Sequence, residues 1–391
     1  MTPADGPGDA AENAAKGGAN DRAEDGAGPG RLILRRLTLS HFRSHAAAAL
    51  AFSGAPVAIF GPNGAGKTNL IEAISLLSPG RGLRGAAAEE LARLPERIGW
   101  KVTAVLDGPR GAHEIATWSE GSAGRRVEID GKVAAQSALG GVARVLWLTP
   151  AMDRLWMEAA AERRRFLDRV TLSLVPDHAQ AALAYDRALR ERNRLLRDES
   201  RDATWYDALE ARLAEEGARI DTARRRALAR LAEAPAMPGF PRGELSLLAE
   251  GPRDAEGLRT ALRENRPRDL AAGRTTLGPH RDDLGAVYAA KGVEARLCST
   301  GEQKALLIGV VLANAWAVAR DFGAAPLLLL DEVAAHLDAD RRRALYAAIS
   351  DLGAQAFLTG TGSELFDGLD GERLRVEDGP GGSTIRRPDD L

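Results

Sequence analysis

Along residues 31–42 (RLILRRLTLSHF), Leu32, Leu34, Leu37, Leu39 and Phe42 nearly alternate with polar neighbours, the pattern of a half-buried strand. A short apolar run follows at 56–60 (PVAIF), then a Gly-rich loop, then NLIEAISLL with apolar residues at helical spacing, which together predict strand, loop and helix. Further strands are predicted at 100–106, 114–118, 126–129 and 144–148, separated by Gly-containing turns such as DGPRG and DGK. The set predicts an antiparallel sheet beside a parallel one.

From about 153 to 265 the chain turns to Arg, Glu, Ala and Leu without strand signals, and Leu209, Leu213, Ile220, Ala227 and Leu231 form one helical stripe. PAMPGFPRG at 235–243 breaks this helical insert near its end. After Gly278 the α/β texture returns: VYAAKGVEARL, a long apolar helix over 302–320, the run PLLLLDE, a helix from 339, then AFLTGT. Residues 1–30 carry almost no large apolar side chain, so ordering them would cost backbone entropy with no burial to offset it, and 378–391 look similar. The expected organisation is a disordered tail (1–30), a first lobe (31–152), a helical insert (153–265), a return to the first lobe (266–377) and a flexible tail (378–391). No internal repeat is visible.

Composition narrows the partners. A chain of 391 residues, 45% hydrophobic and 28% charged, can build one large core or two ordinary ones. Lys plus Arg number 53 against 55 Asp plus Glu, so no bulk cationic field exists and an anionic partner must meet a local patch. The single cysteine, Cys298, excludes an intramolecular disulfide framework and a Cys-based zinc site and fits a reducing compartment. No run approaches ~18 consecutive apolar residues, and the first thirty residues lack the order of a signal peptide. A cytoplasmic protein with no membrane association is expected.

GPNGAGKT at 61–68 fits GxxxxGK[ST], and each position has its own reason. Gly61, Gly64 and Gly66, with Pro62, Asn63 and Ala65 between them, let successive N–H groups point inward at phosphate oxygens. The helix beginning near Lys67 and continuing through Asn69 aims its positive end at the same anion. Lys67 reaches the β and γ phosphates, and the Thr68 hydroxyl ligates Mg²⁺. A chance match is the alternative, and the flanking strand and helix argue against it.

PLLLLDE at 326–332 places two carboxylates at the carboxyl edge of a parallel sheet, where ligands bind. Asp331 is predicted to hold Mg²⁺, directly or through water, and Glu332 to orient and deprotonate the attacking water. Alternatively the two acids cap the helix that follows near Ala339. STGEQ at 299–303 precedes the long apolar helix; it is either a second anion site or an ordinary cap, with Thr300 capping and Gln303 closing a box.

STGEQ resembles the signature loop of the ABC ATPase superfamily, whose usual core is Ser-Gly-Gly-Gln. Thr300 then supplies the hydroxyl, Gly301 and Glu302 take the two glycine places and Gln303 is retained. AHLD at 335–338 resembles the D-loop, with Asp338. Over 31–361 the chain resembles one family, the RecF DNA replication and repair ATPases of bacteria. RLTLSHFRSH, RRRFLD after Pro150, LGPHRDDL and STGEQKALLIG carry the likeness. Ala151, Glu158 and Ala160 depart from its usual residues. Thr359, Gly360 and Thr361 stand where transporter ATPases place a switch His, and no Gln lies near Trp147–Pro150, absences that RecF proteins share.

The resemblance implies an α/β fold of the ABC-type P-loop ATPase head with an inserted helical subdomain. It implies ATP and Mg²⁺ held between two heads, the signature loop of one copy meeting the γ-phosphate on the other, so that ATP drives a homodimer. Arg43 would reach a phosphate; the alternative is a solvated strand-end Arg. It further implies binding of gapped single-strand/double-strand DNA, slow DNA-stimulated hydrolysis, and cooperation with RecR and RecO in loading RecA. LGPHRDDL reads equally as a strand-ending turn with Asp282 or Asp283 capping against Arg281, and no catalytic step follows for His280.

The insert offers many arginines for phosphate oxygens: Arg163, Arg164, Arg165, Arg187, Arg190, Arg192, Arg194, Arg197, Arg219, Arg224, Arg225, Arg226 and Arg230. Glu191, Glu199, Glu210, Glu215 and Glu216 interleave with them, so helical ion pairs compete for many. Three functional classes stay open: a DNA-repair ATPase clamp, a nucleotide-gated scaffold without significant turnover, and a transporter ATPase subunit.

Overall fold

The computed structural model describes residues 30–387 except 122 and 201. The tail expected over 1–30 therefore lies, but for Gly30, outside the described residues. The fold is α/β. Two six-stranded sheets carry it. The first runs in the order Thr384–Arg386, Glu372–Glu377, Val57–Phe60, Ala356–Gly360, Leu327–Leu330, Val145–Leu148, and all its pairings are parallel except that of Thr384–Arg386. VLWL, LLLL and AFLTG are buried at every position, as continuous apolar runs in a doubly covered sheet must be.

The second sheet is antiparallel: His45–Ala51, Ile33–Phe42, Trp100–Gly108, Gly111–Ser119, Arg126–Ile129, Lys132–Val133. Its alternating strands bury one face only, with Val102, Ala104 and Leu106 inward. Between the sheets lies helix α1 (Lys67–Ser75), whose Leu70, Ile71 and Ile74 join one core with Leu37, Leu39 and Val102 of one sheet and Val57, Ile59 and Phe357 of the other. That burial fixes the start of α1, and so Lys67 and Thr68, against two rigid sheets.

After a short α2 (Leu139–Val142) come α3 (Ala160–Leu174), α4 (His178–Arg197), α5 (Ala203–Ala232), α6 (Ala255–Glu264) and α7 (Arg266–Ala272). The helical texture is interrupted where the sequence carries no strand signal: Gly243–Leu248 pairs antiparallel with Asp283–Tyr288. It is a short edge strand in the α5–α6 connection, and its side chains stay largely exposed, so it lacks the apolar run that marks a buried strand. Helix α8 (Thr300–Phe322) has the length and hydropathy to cross a membrane, but two thirds of its apolar window (67%) is buried in the second core beside α3, α5 and the parallel sheet. Helix α9 (Ala339–Asp351) packs on the same core.

The flexible tail expected from 378 onward is corrected as far as Arg387. Ser383 N donates to Ser44 O (2.9 Å), Thr384–Arg386 adds a strand, and Arg387 pairs with Glu372 (2.8 Å). A glycine-rich segment with little apolar content is held here by backbone pairing, with Ser383 buried and Ile385 packed on the core between the sheets. Residues 388–391 lie outside the described residues.

Candidate nucleotide site

Val57–Phe60 lies inside the parallel sheet and delivers the 61–68 loop at its carboxyl end. Two glycines there are sterically required. Gly61 (φ +151°) passes so close to Glu372–Glu377 that a Cβ would sit 2.0 Å from Val376 O, and one on Gly66 (φ +104°) would sit 2.3 Å from Ser383 Oγ. Lys67 is buried and folds back to donate to Gly61 O and Pro62 O, both at 2.8 Å. Burial lowers its pKa, while the charges of Glu332 and Asp331 pull it back up. A phosphate offers this ammonium a stronger acceptor than two carbonyls.

Thr68 Oγ1 donates to Asp331 Oδ1 at 3.0 Å, so the hydroxyl and carboxylate predicted to share a metal ion are neighbours. Among the described residues no three His, Cys, Asp or Glu side chains converge on a metal site. A divalent ion between Thr68 and Asp331 would therefore complete its shell with phosphate oxygens and water, the habit of Mg²⁺ at nucleotides.

Thr359, at the end of the neighbouring strand, donates to Asp331 Oδ1 at 2.7 Å and accepts from the Glu332 N–H at 2.9 Å. Glu332 has φ +54°, a conformation that costs a non-glycine residue about 1 kcal/mol or more. The acid pair does not cap the next helix. Asp338 does, accepting from Arg341 N at 2.8 Å.

Asn69 Nδ2 donates to Ser44 Oγ (2.7 Å), and its side-chain oxygen accepts from Arg84 (2.9 Å). Arg43 is not brought to the loop. Its guanidinium holds buried Glu72 of α1 bidentately (2.8 and 2.9 Å) and Glu90 O (2.9 Å). Arg84 shares the same carboxylate at 3.2 Å, so two cations meet one anion beside the loop. His45 is fully buried behind it. Its Nε2 lies 3.2 Å from Gly66 O, which can only accept, so that nitrogen carries the proton. Sequence reasoning missed Ser44, His45, Glu72, Thr359 and Ser383, none of which stands in the GxxxxGK[ST] pattern.

The signature segment is capped one residue earlier than expected. Ser299 is the cap of α8 and Glu302 closes the box, with Ser299 N donating to Glu302 Oε2 at 3.0 Å. Lys291 also bonds Glu302, and the two contacts drive its carboxyl down to about 2. Gln303 Nε2 donates to Cys298 O at 2.9 Å, while Thr300 and Gly301 are exposed. Among the described residues no hydrogen bond joins 299–303, or Asp338, to the 61–68 loop. The structure thus brings Lys67, Thr68, Asp331 and Glu332 together, and it leaves Thr300, Gly301, Glu302, Gln303 and Asp338 apart from them.

LGPHRDDL is a junction between the helices and the rest. Asp283 takes Arg163 bidentately (2.8 and 2.6 Å), Asp282 takes Arg224 and Arg253, and Arg164 donates to Asp282 O. The expected capping against Arg281 is not formed. Several of the insert's arginines are taken by carboxylates, as the interleaved acids lead one to expect: Arg192 is wholly buried on Glu210 and Asp269, Arg165 meets Glu162, Arg219 Glu216, Arg225 Asp221 and Arg230 Asp321. Arg187, Arg190, Arg194, Arg197 and Arg226 remain exposed with no hydrogen bond or ion pair among the described residues.

Residues 33–376 match the model of the RecF/RecN/SMC N-terminal domain. The DNA replication and repair protein RecF of Mesorhizobium japonicum is 46% identical over 376 residues, covering 91% of this chain and 99% of its own length. The protein of the same name from Caulobacter sp. strain K31 is 49% identical over 377 residues, covering 88% and 96%. Among solved structures, the recombination mediator protein RecF-ATP in the RecFOR pathway superposes with a TM-score of 0.78 at 24% identity, covering 92% of this chain and 99% of that one. With 91% of its length aligned to such relatives, the chain belongs to the RecF family of DNA replication and repair proteins.

Proposed function

We propose that this protein is an ATP-gated DNA-binding clamp of recombinational repair and replication. One observation carries the reading: Lys67, Thr68, Asp331, Thr359 and Glu332 form half of a nucleotide site, while the exposed Thr300–Gly301 edge of α8 has no nucleotide-loop partner in its own chain. A second copy, turned so that its α8 faces the 61–68 loop, completes the site.

In that dimer the loop N–H groups and Lys67 hold the β and γ phosphates of ATP, and Thr300 and Gly301 of the partner subunit approach the γ-phosphate. Thr68 and Asp331 would hold Mg²⁺, which neutralises developing phosphate charge. Glu332, its backbone pinned by Thr359, orients the attacking water. Loss of the γ-phosphate removes contacts made only in the dimer, so hydrolysis shifts the equilibrium to monomers. The names of the relatives, a DNA replication and repair protein and a recombination mediator of the RecFOR pathway, support DNA as the partner and that pathway as the setting. A gapped single-strand/double-strand junction as the form of that DNA, and RecR and RecO as co-workers in loading RecA, are what the family resemblance implies.

The test is retention of a gapped duplex with ATP, ADP or no nucleotide. ATP alone should retain it in the wild type and not in Lys67→Met. Equal retention in all three states would contradict the clamp. A Glu332→Gln protein that releases DNA as fast as the wild type would favour a scaffold without turnover.

A further inference from the structure

We infer that the exposed face of the α4–α5 hairpin holds single-stranded nucleic acid, Trp205 stacking on a base and an arginine row of α4 tracking the phosphates; this rests on the DNA-binding reading above. Arg187, Arg190, Arg194 and Arg197 follow one another at spacings of three, four and three residues, which places them on one helix face over about 15 Å. Arg163 and Arg165 of α3 and most of the arginines of α5 are paired with carboxylates, Arg164 donates to Asp282 O and Arg169 stacks on Trp147 and Phe166. These four are exposed and form no ion pair, so each repels the next along the row. Glu191 and Asp198 beside that face, and Asp186, whose charge Arg190 stabilises, dilute the row only in part, four cations standing against three acids. A polyanion relieves that repulsion.

The second observation separates a single strand from a duplex. Trp205, at the start of α5, is 56% exposed, although a side chain of its size usually buries most of its surface. It lines one groove with Glu191, Arg194, Leu195, Ala208 and Leu209, so the indole shares a groove with Arg194 of the arginine row. An indole face next to guanidinium groups suits an unstacked base flanked by phosphate. A duplex offers the phosphates but no free base face.

The experiment uses the full-length protein and two fluorescein-labelled probes, oligo(dT) of about 30 nucleotides and a blunt duplex of the same length, each titrated in ATP across a salt series. Trp205→Ala should weaken oligo(dT) about ten-fold and leave the duplex within two-fold, with Trp205→Phe restoring most of the loss. The quadruple variant R187Q/R190Q/R194Q/R197Q should flatten the slope of log affinity against log salt for oligo(dT) by about 2 to 3. If both variants keep wild-type affinity and slope, the surface serves a protein partner instead and the inference falls. If Trp205→Ala weakens both probes equally, the stacking assignment is wrong. A wild type that binds neither probe in ATP sinks the DNA-binding reading itself.

Discussion

Thr359 Oγ1 donates to Asp331 Oδ1 at 2.7 Å while accepting from the Glu332 N–H at 2.9 Å, so one hydroxyl sets the carboxylate beside Thr68 and the strained backbone of the next acid. Transporter heads place a histidine at this point of the chain. Here the position is fully buried and hydroxylic, and its two hydrogen bonds fix the geometry of Asp331 and of the Glu332 backbone. Thr359→Val keeps the shape and removes both hydrogen bonds, leaving the Asp331 and Glu332 groups under-satisfied at about 1–3 kcal/mol. Single-turnover hydrolysis should fall roughly 10- to 100-fold while the ATP dissociation constant moves by less than about five-fold. Equal losses in binding and turnover would contradict an orienting role.

Arg192 has no exposed surface and bonds Glu210, Asp269, Thr275 Oγ1 and Leu262 O. Arg192→Met leaves two buried carboxylates short of a cation, a loss of about 3–5 kcal/mol. Urea unfolding followed by helical circular dichroism should show the midpoint fall accordingly, with α4, α5 and α7 loosening first.

His280 gives the stability a pH dependence. Its Nε2 lies 3.1 Å from Thr275 O, which can only accept, so Nε2 carries the proton and Nδ1 accepts from Tyr185 OH at 2.8 Å. Burial, aided by Arg281 and Arg164 against the opposing Thr275 carbonyl, lowers its pKa to about 4. The unfolded chain takes up a proton below about pH 6.5 and the folded one only near 4, so stability falls across that interval, by at most about 3 kcal/mol, and is flat below it with respect to this group. His280→Gln preserves both hydrogen bonds without titrating. Its unfolding free energy should lose less between pH 6.5 and 4 than that of the wild type, and parallel curves would contradict the assignment.

The uninterrupted apolar runs, the glycine loop and the 3.6-residue stripes were legible because each is a local pattern with one structural solution. The strands at 126–129 and 327–330 fall where alternation and apolar runs place them. What escaped is non-local. Gly243–Leu248 is a strand because Asp283–Tyr288 lies alongside, and Thr384–Arg386 because Glu372–Glu377 does. Arg43 reads as a phosphate ligand, or else a solvated strand-end cation, until α1 brings Glu72 beside it, 29 residues on. The cap of α8 moved from Thr300 to Ser299 because Glu302, bound also by Lys291, closes the box better than Gln303, whose amide is taken by Cys298 O.

The central claim is that one chain holds only half of a working nucleotide site. Sedimentation of the wild type, Lys67→Met and Glu332→Gln with no nucleotide, ADP or ATP measures it most directly. The account predicts monomers without ATP, a dimer of the wild type in ATP, a longer-lived one for Glu332→Gln, and a monomer in every state for Lys67→Met. A wild type that stays monomeric in ATP at concentrations far above its nucleotide dissociation constant, or a dimer indifferent to Lys67, would contradict it.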